Sequence, residues 1–204
     1  MNSCLLCGGT GITAFGKPCP NCSSEAHSVT PFVEIPMQYR GLTYDQSFIP
    51  TKLQNTLGKF MTELKEEILS IPQAYQKNVL VCSRANAGKT VWAYDVYSNL
   101  KTAGLNPPKV IDIVEARNIM NGKDVDESDL ISKSKIAIFK IPSDVAPWMF
   151  NIIQSIVERR VRNNAATIFL YSNSLENLKL SDTFNVLETL KGTGSFNTIL
   201  IQDF

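Results

Sequence analysis

Two short stretches carry residue types and spacings that can do chemistry. The first is "VLVCSRANAGKT", residues 79–90, an apolar run followed by small residues and then Gly88-Lys89-Thr90. In the pattern G-x-x-x-x-G-K-[ST], backbone N–H groups at a helix start cradle a phosphate. The lysine reaches the β- and γ-phosphates, and the hydroxyl joins a Mg²⁺ shell. Ser83, Arg84, Ala85, Asn86, Ala87, Gly88, Lys89 and Thr90 are therefore the candidates for holding ATP or ADP, with Thr90 the magnesium ligand. Ser83 stands where the first glycine belongs. It is small, and Ala85 and Ala87 are compact, so the loop can still form. An ordinary glycine-containing helix start is the bland alternative. A strand leading in and a helix leading out favour the phosphate site.

The second stretch is "CLLCGGTGITAFGKPCPNC". Cys4 and Cys7 form one C-x2-C pair, and Cys19 and Cys22 form another eleven residues later. Four thiolates so spaced can converge tetrahedrally on Zn²⁺, while the glycines and prolines between them suit tight knuckles. Two disulfides or four unrelated thiols are the competing readings, and reducing surroundings and the paired spacing argue against both. Four sulfurs leave no open position for water, so the metal would be structural and would fold the knuckle. Cys82, in an apolar run, is expected to be a small buried side chain. His27, the only histidine, is expected to be a solvated linker residue, because four cysteines already complete the site.

The 204 residues allow one medium domain and a small appendage. A net charge of +1 gives no global field toward nucleic acid, so any such surface must be local. No apolar run is long enough to span a bilayer, and the first residues lack the basic and apolar regions of a signal peptide. The expected location is the cytoplasm.

Certain elements must position the loop. Residues 1–30 are expected to form the zinc-binding module and residues 31–50 a linker or arm anchored by Phe32, Tyr39, Tyr44 and Phe48. From Thr51 the spacing of Leu53, Leu57, Phe60, Leu64 and Ile68 predicts a helix, with Pro72 beyond its end. Strands are expected at 78–83, 108–116, 135–141, 166–173 and 196–202. Helices are expected at 89–104, near 117–120, and at 146–163, where Met149, Ile152, Ile153, Ile156 and Val157 form an apolar face. This alternation predicts an α/β fold, a parallel sheet with flanking helices over residues 51–204.

A phosphate-cleaving site needs a carboxylate at the end of a buried strand to hold Mg²⁺, and commonly a second to orient water. "KIAIFKIPSD" puts Lys140 and Ile141 there. Lysine cannot bind a cation, but it can meet phosphate and partly replace the metal's charge. Asp144 follows Pro142 in a loop, and Asp112 sits on another strand. Binding is thus expected without efficient hydrolysis.

Residues 151–178, "NIIQSIVERRVRNNAATIFLYSNSLENL", resemble the AAA+ replicative helicase loaders of the DnaC/DnaI type, the IstB-like ATP-binding family. "IVERR", "ATIFLYSN" and "SLENL" match in order and spacing. "VEIPMQYRGLTYD" resembles that family's lead-in, and the cysteines its zinc-binding, helicase-docking domain. The resemblance implies an AAA+-like P-loop domain. It makes Asn173 a polar sensor near the γ-phosphate. It also makes Arg160, with Arg159 beside it, the arginine reaching a neighbouring subunit's nucleotide. The bland alternative for "ERRVRN" is a solvated helix end whose arginines complement the dipole. The missing carboxylates and the short chain suggest a reduced, bacteriophage version working in an infected bacterial cell.

The resemblance implies a loader that binds a hexameric DnaB-type replicative helicase through its zinc module and helps deliver it to single-stranded DNA. Self-association on the helicase goes with that role. A non-hydrolysing adaptor or inhibitor of a helicase, loader or transposase is the alternative. A small-molecule kinase ranks below both, for want of an acceptor site and an arginine-rich lid. Cys19→Ser should release zinc and abolish helicase binding while residues 51–204 stay folded, checked by metal analysis and circular dichroism. Global unfolding would mean that the division into two domains is wrong.

Overall fold

A computed structural model describes residues 35–44, 52–105, 108–121, 134–174 and 199–203. The chain divides into Met1–Glu34 and Ile35–Phe204, and every described residue belongs to the second unit. Cys4, Cys7, Cys19 and Cys22, the expected zinc ligands, lie outside the described residues, as do Phe32 and Phe48.

Helix α1, Lys52–Ser70, follows the predicted periodicity, with Leu57, Met61, Leu64 and Ile68 buried. Strand β1, Val79–Ser83, is buried throughout and leads through the lysine loop into α2, Lys89–Thr102. Gly104 ends that region as expected. Its φ of 71° is left-handed, its N–H reaches Lys101 C=O at 3.0 Å, and Leu105 N–H reaches Leu100 C=O at 2.9 Å. Those two bonds satisfy carbonyls of the last turn that have no other helical partner.

The second strand is shorter than the pattern predicted. Strand β2 covers only Lys109–Asp112, and helix α3, Ile113–Asn121, starts at once. The reason is a cap: Asp112 Oδ1 accepts the Val114 N–H at 2.9 Å. Strand β3, Ile136–Ile141, helix α4, Pro147–Arg162, strand β4, Ala166–Tyr171, and strand β5, Ile199–Asp203, complete the set. The strands form one parallel sheet in the order β2-β3-β4-β1-β5.

Strand alternation builds two cores. Val79, Val81, Ile136, Ile138, Ala166, Ile168 and Leu170 face the side packed by α1 and α2. Leu80, Cys82, Ala137, Phe139, Ile141, Phe169 and Tyr171 face the α3 and α4 side. β1 and β3 send their helices to opposite faces, the arrangement that in open parallel sheets leaves a crevice at the carboxyl ends of the strands. The lysine loop lies at that end.

Asp95 of α2, only 2% exposed, ties three elements together. Its Oδ2 accepts the Tyr44 backbone N–H at 3.0 Å and the Lys65 ammonium at 2.5 Å, and its Oδ1 accepts Asn99 Nδ2 at 2.8 Å. Described residues of the expected arm thus pack on the α2 side of the domain, where Tyr39 also stacks on Tyr94 at 5.1 Å between centroids. Among the described residues, no helix is long and apolar enough to cross a membrane.

Asp95→Ala removes one acceptor from three donors at once, one of them, the Tyr44 N–H, in a buried setting. It should cost roughly 3 kcal/mol of unfolding free energy, read by urea denaturation. A loss below about 0.5 kcal/mol would show that the junction does not hold the arm.

Candidate functional site: the lysine loop at the end of β1

The loop has the backbone that its small residues permit. Asn86 and Gly88 both take left-handed conformations, with φ of 63° and 77°. Asparagine and glycine are the residues that visit that region at least cost. Gly88 is the N-cap of α2 and supplies no side chain. The first intrahelical bond runs from Trp92 N–H to Gly88 C=O at 2.9 Å. The N–H groups of Gly88, Lys89, Thr90 and Val91 therefore have no carbonyl of the helix to bond, and the positive end of the dipole lies there. Arg84, Ala85 and Asn86 are exposed, Ala87 is buried, and Thr90 is half-buried.

Lys89 is folded inward. Its Nζ donates to Ser83 Oγ at 2.8 Å, to Ser83 C=O at 3.1 Å and to Arg84 C=O at 2.8 Å. Ser83, in the place of the usual glycine, thus gives the lysine a hydroxyl partner. Burial pushes the Lys89 pKa down to about 8, against a smaller upward pull from Cys82. Burial likewise pushes Cys82 up to about 12. Phosphate oxygens would have to draw Lys89 away from three neutral acceptors, an exchange that favours a charged partner.

Tyr44 covers the glycine. A Cβ added at Gly88 would meet Tyr44 Cε2 at 3.0 Å, so both the ring and the positive φ exclude larger residues. The Tyr44 hydroxyl is buried without a hydrogen-bond partner among the described residues, and burial raises its pKa to about 12. The sequence marked Tyr44 only as an arm anchor, and it gave no role to Asp95. A carboxylate inside "WAYDVY", a run of large apolar neighbours, was the available signal for a buried polar junction.

The other expected site residues fall differently. Asn173 lies two residues past the end of β4, beside β1, with Tyr171 paired to Cys82. Its Nδ2 donates to Ser143 C=O at 3.3 Å, and its Oδ1 accepts Ser174 N–H at 2.8 Å. It therefore stands at the crevice end of the sheet.

Arg160 does not fit its expected role of reaching a neighbour. It is 0% exposed, and its guanidinium is turned into its own domain. Nε donates to Thr167 Oγ1 at 3.0 Å, one amino group to Ser134 Oγ at 3.1 Å and the other to Ala166 C=O. Burial pulls its pKa down to about 9, which still leaves it charged at neutral pH, at the end of α4 where the dipole favours a cation. Arg159 and Arg162 carry the exposed charge of that helix end.

The carboxylates needed to complete a magnesium site are not supplied by β3. Lys140 and Ile141 occupy its end, Ile141 buried and Lys140 half-buried. Asp112 is engaged as the cap of α3, and Asp144 is exposed beyond Pro142. Thr90 offers a hydroxyl, and among the described residues no cluster of three His, Cys, Asp or Glu side chains could hold a metal.

The chain matches no protein-family model and no curated protein. Its fold is nevertheless that of known structures. The crystal structure of the DnaC helicase loader aligns with a TM-score of 0.60 at 16% identity, over 81% of this chain and 99% of that one. A candidate primosome component from Streptococcus pyogenes serotype M3 aligns at 0.60 and 16% identity, over 84% and 91%. The crystal structure of DnaI aligns at 0.59 and 12% identity, over 83% and 95%. The expected resemblance to DnaC/DnaI-type loaders thus holds at the level of fold, an α/β P-loop domain.

The folded pKa of Lys89 lies below its ordinary value of 10.5, so between about 8 and 10.5 the unfolded chain binds more protons than the folded one. Stability from this group must rise with pH across that window. Relative to Lys89→Met, the wild type should gain on the order of 2 kcal/mol between pH 8 and 10. Taking the difference from the variant cancels the opposing titration of buried tyrosines. A gap that stays constant with pH, measured by urea denaturation, would mean that Lys89 is not buried in solution.

Proposed function

We propose that this chain, whose fold is that of the DnaC and DnaI helicase loaders, is itself a replicative helicase loader. The supporting observation is the pairing of that fold, along nearly the whole length of those proteins, with a glycine-capped lysine loop at the crevice end of β1. In this proposal Cys4, Cys7, Cys19 and Cys22 hold zinc in a module that grips a hexameric DnaB-type helicase. Residues 83–90 bind ATP or ADP. Lys89 leaves Ser83 and Arg84 for the phosphates, and Gly88 and its neighbours offer N–H groups to them. Asn173 faces the phosphate end. The exposed Arg159, rather than the buried Arg160, meets a neighbouring copy when loaders assemble on the helicase. Basic side chains contact single-stranded DNA. The work is done in the bacterial cytoplasm.

Lys140 at the end of β3 supports nucleotide binding with weak or absent hydrolysis, because no carboxylate orients an attacking water there. The same observation favours a second proposal, an adaptor or inhibitor that binds a helicase, loader or transposase without a nucleotide cycle.

Co-elution with a hexameric replicative helicase on size exclusion at micromolar concentrations is the expected outcome, and separate elution would overturn both proposals for that partner. If the two co-elute, transfer of the helicase to single-stranded DNA distinguishes loader from adaptor. ATP turnover should be absent or slow, and any turnover should vanish in Lys89→Ala. Brisk turnover would overturn the weak-hydrolysis part alone.

A further inference from the structure

Lys140 occupies the sheet face that the lysine loop occupies. Ile136 and Ile138 of β3 pack in the core under α1 and α2, and alternation puts Lys140 next on that face toward the carboxyl end. In register it sits beside Leu170 of β4, and Leu170 sits beside Val81 of β1. Ser83 follows Val81 on the same face, and its hydroxyl holds Lys89. Two strand spacings, ~10 Å, separate the β3 backbone from the β1 backbone, and a lysine spans much of that gap on its four-carbon stem.

Lys140 is half-buried and, among the described residues, makes no hydrogen bond or ion pair. Its in-register neighbour on β2 is Asp112, whose Oδ1 is taken by the Val114 N–H. Asp112 forms no ion pair with Lys140 among the described residues, so the Lys140 ammonium is available to an arriving anion.

We propose that this site binds a nucleoside di- or triphosphate without a divalent metal, the Lys140 ammonium supplying the positive charge that a metal would bring. The inference rests on the reading of residues 83–90 as a nucleotide site. It follows from a disagreement in donor chemistry: Thr90 offers one oxygen, but β3, two strands from β1, offers a cation where Mg²⁺ needs an anion. A tethered ammonium neutralises phosphate charge but imposes no octahedral shell, so it favours binding over orientation of water.

The test is calorimetric titration of the full-length protein with ADP and with ATP, in MgCl₂ and in EDTA. Wild-type dissociation constants in EDTA should be no more than about 3-fold weaker than in MgCl₂. In EDTA, Lys140→Arg should bind like the wild type, and Lys140→Met should bind about 10-fold more weakly. Lys140→Asp should bind at least about 10-fold more tightly with Mg²⁺ than without it. Thermal unfolding of each variant checks the fold, and Lys140→Arg keeps the test valid if Lys140→Met does not fold. A wild type that loses about 10-fold or more in EDTA, with binding that Lys89→Ala abolishes, overturns this inference and leaves the nucleotide site standing. Equal affinities for Lys140→Met and wild type in EDTA also overturn it. No binding of either nucleotide in either condition overturns the nucleotide site and the inference together.

Discussion

The buried carboxylate of Asp95 gathers a backbone N–H from Tyr44, an ammonium from α1 and an amide from its own helix. The Tyr44 N–H would be costly to leave unpaired inside the domain, and so would the buried carboxylate itself, so the junction is satisfied only when its elements are in place. That requirement sets Tyr44 against Gly88, and hence the lysine loop against its cover. The conformation of the phosphate-loop candidate therefore depends on a residue two turns into α2 and on a chain segment far away in sequence.

Electrostatics at the loop follow from the same compactness. Lys89 remains charged at neutral pH, yet it has only neutral oxygens around it, and burial lowers its proton affinity. Such a group gains more from an arriving anion than an exposed lysine would, because its hydration has already been given up. Lys140 adds a second positive charge on that face of the sheet. Two lysines and a helix start without a side-chain cap put positive charge at the carboxyl end of the sheet, and β3 ends there in Lys140 and Ile141 rather than a carboxylate.

Arg160 illustrates a limit of short motifs. "ERRVRN" presents three arginines within four positions at a helix end, and nothing in those letters says which one turns inward. The helix meets β3 and β4 in such a way that Arg160 falls over Thr167, Ala166 and Ser134, whereas Arg159 and Arg162 fall outside. An arginine at such a site acts as a polar rivet between the end of α4 and the sheet, donating to two hydroxyls and a carbonyl.

The sequence alone determined the elements whose signals are local. The apolar period of α1, the small-residue loop before Lys89, the glycine that ends the α2 region and the apolar runs of β1, β3 and β4 all depend on neighbours within a few residues. The residues at the end of β3 were legible too, because strand length locates Lys140 and Ile141 there. Only the tertiary structure decided the order β2-β3-β4-β1-β5, the capture of Lys89 by Ser83 and Arg84, the cover that Tyr44 places on Gly88, and the inward turn of Arg160. These depend on contacts between residues distant in the chain, and a side chain's partner there is chosen by packing and burial. Asp112 shows the boundary between the two. Its letters allowed a longer strand, and its carboxylate closed β2 by taking an N–H from the next helix.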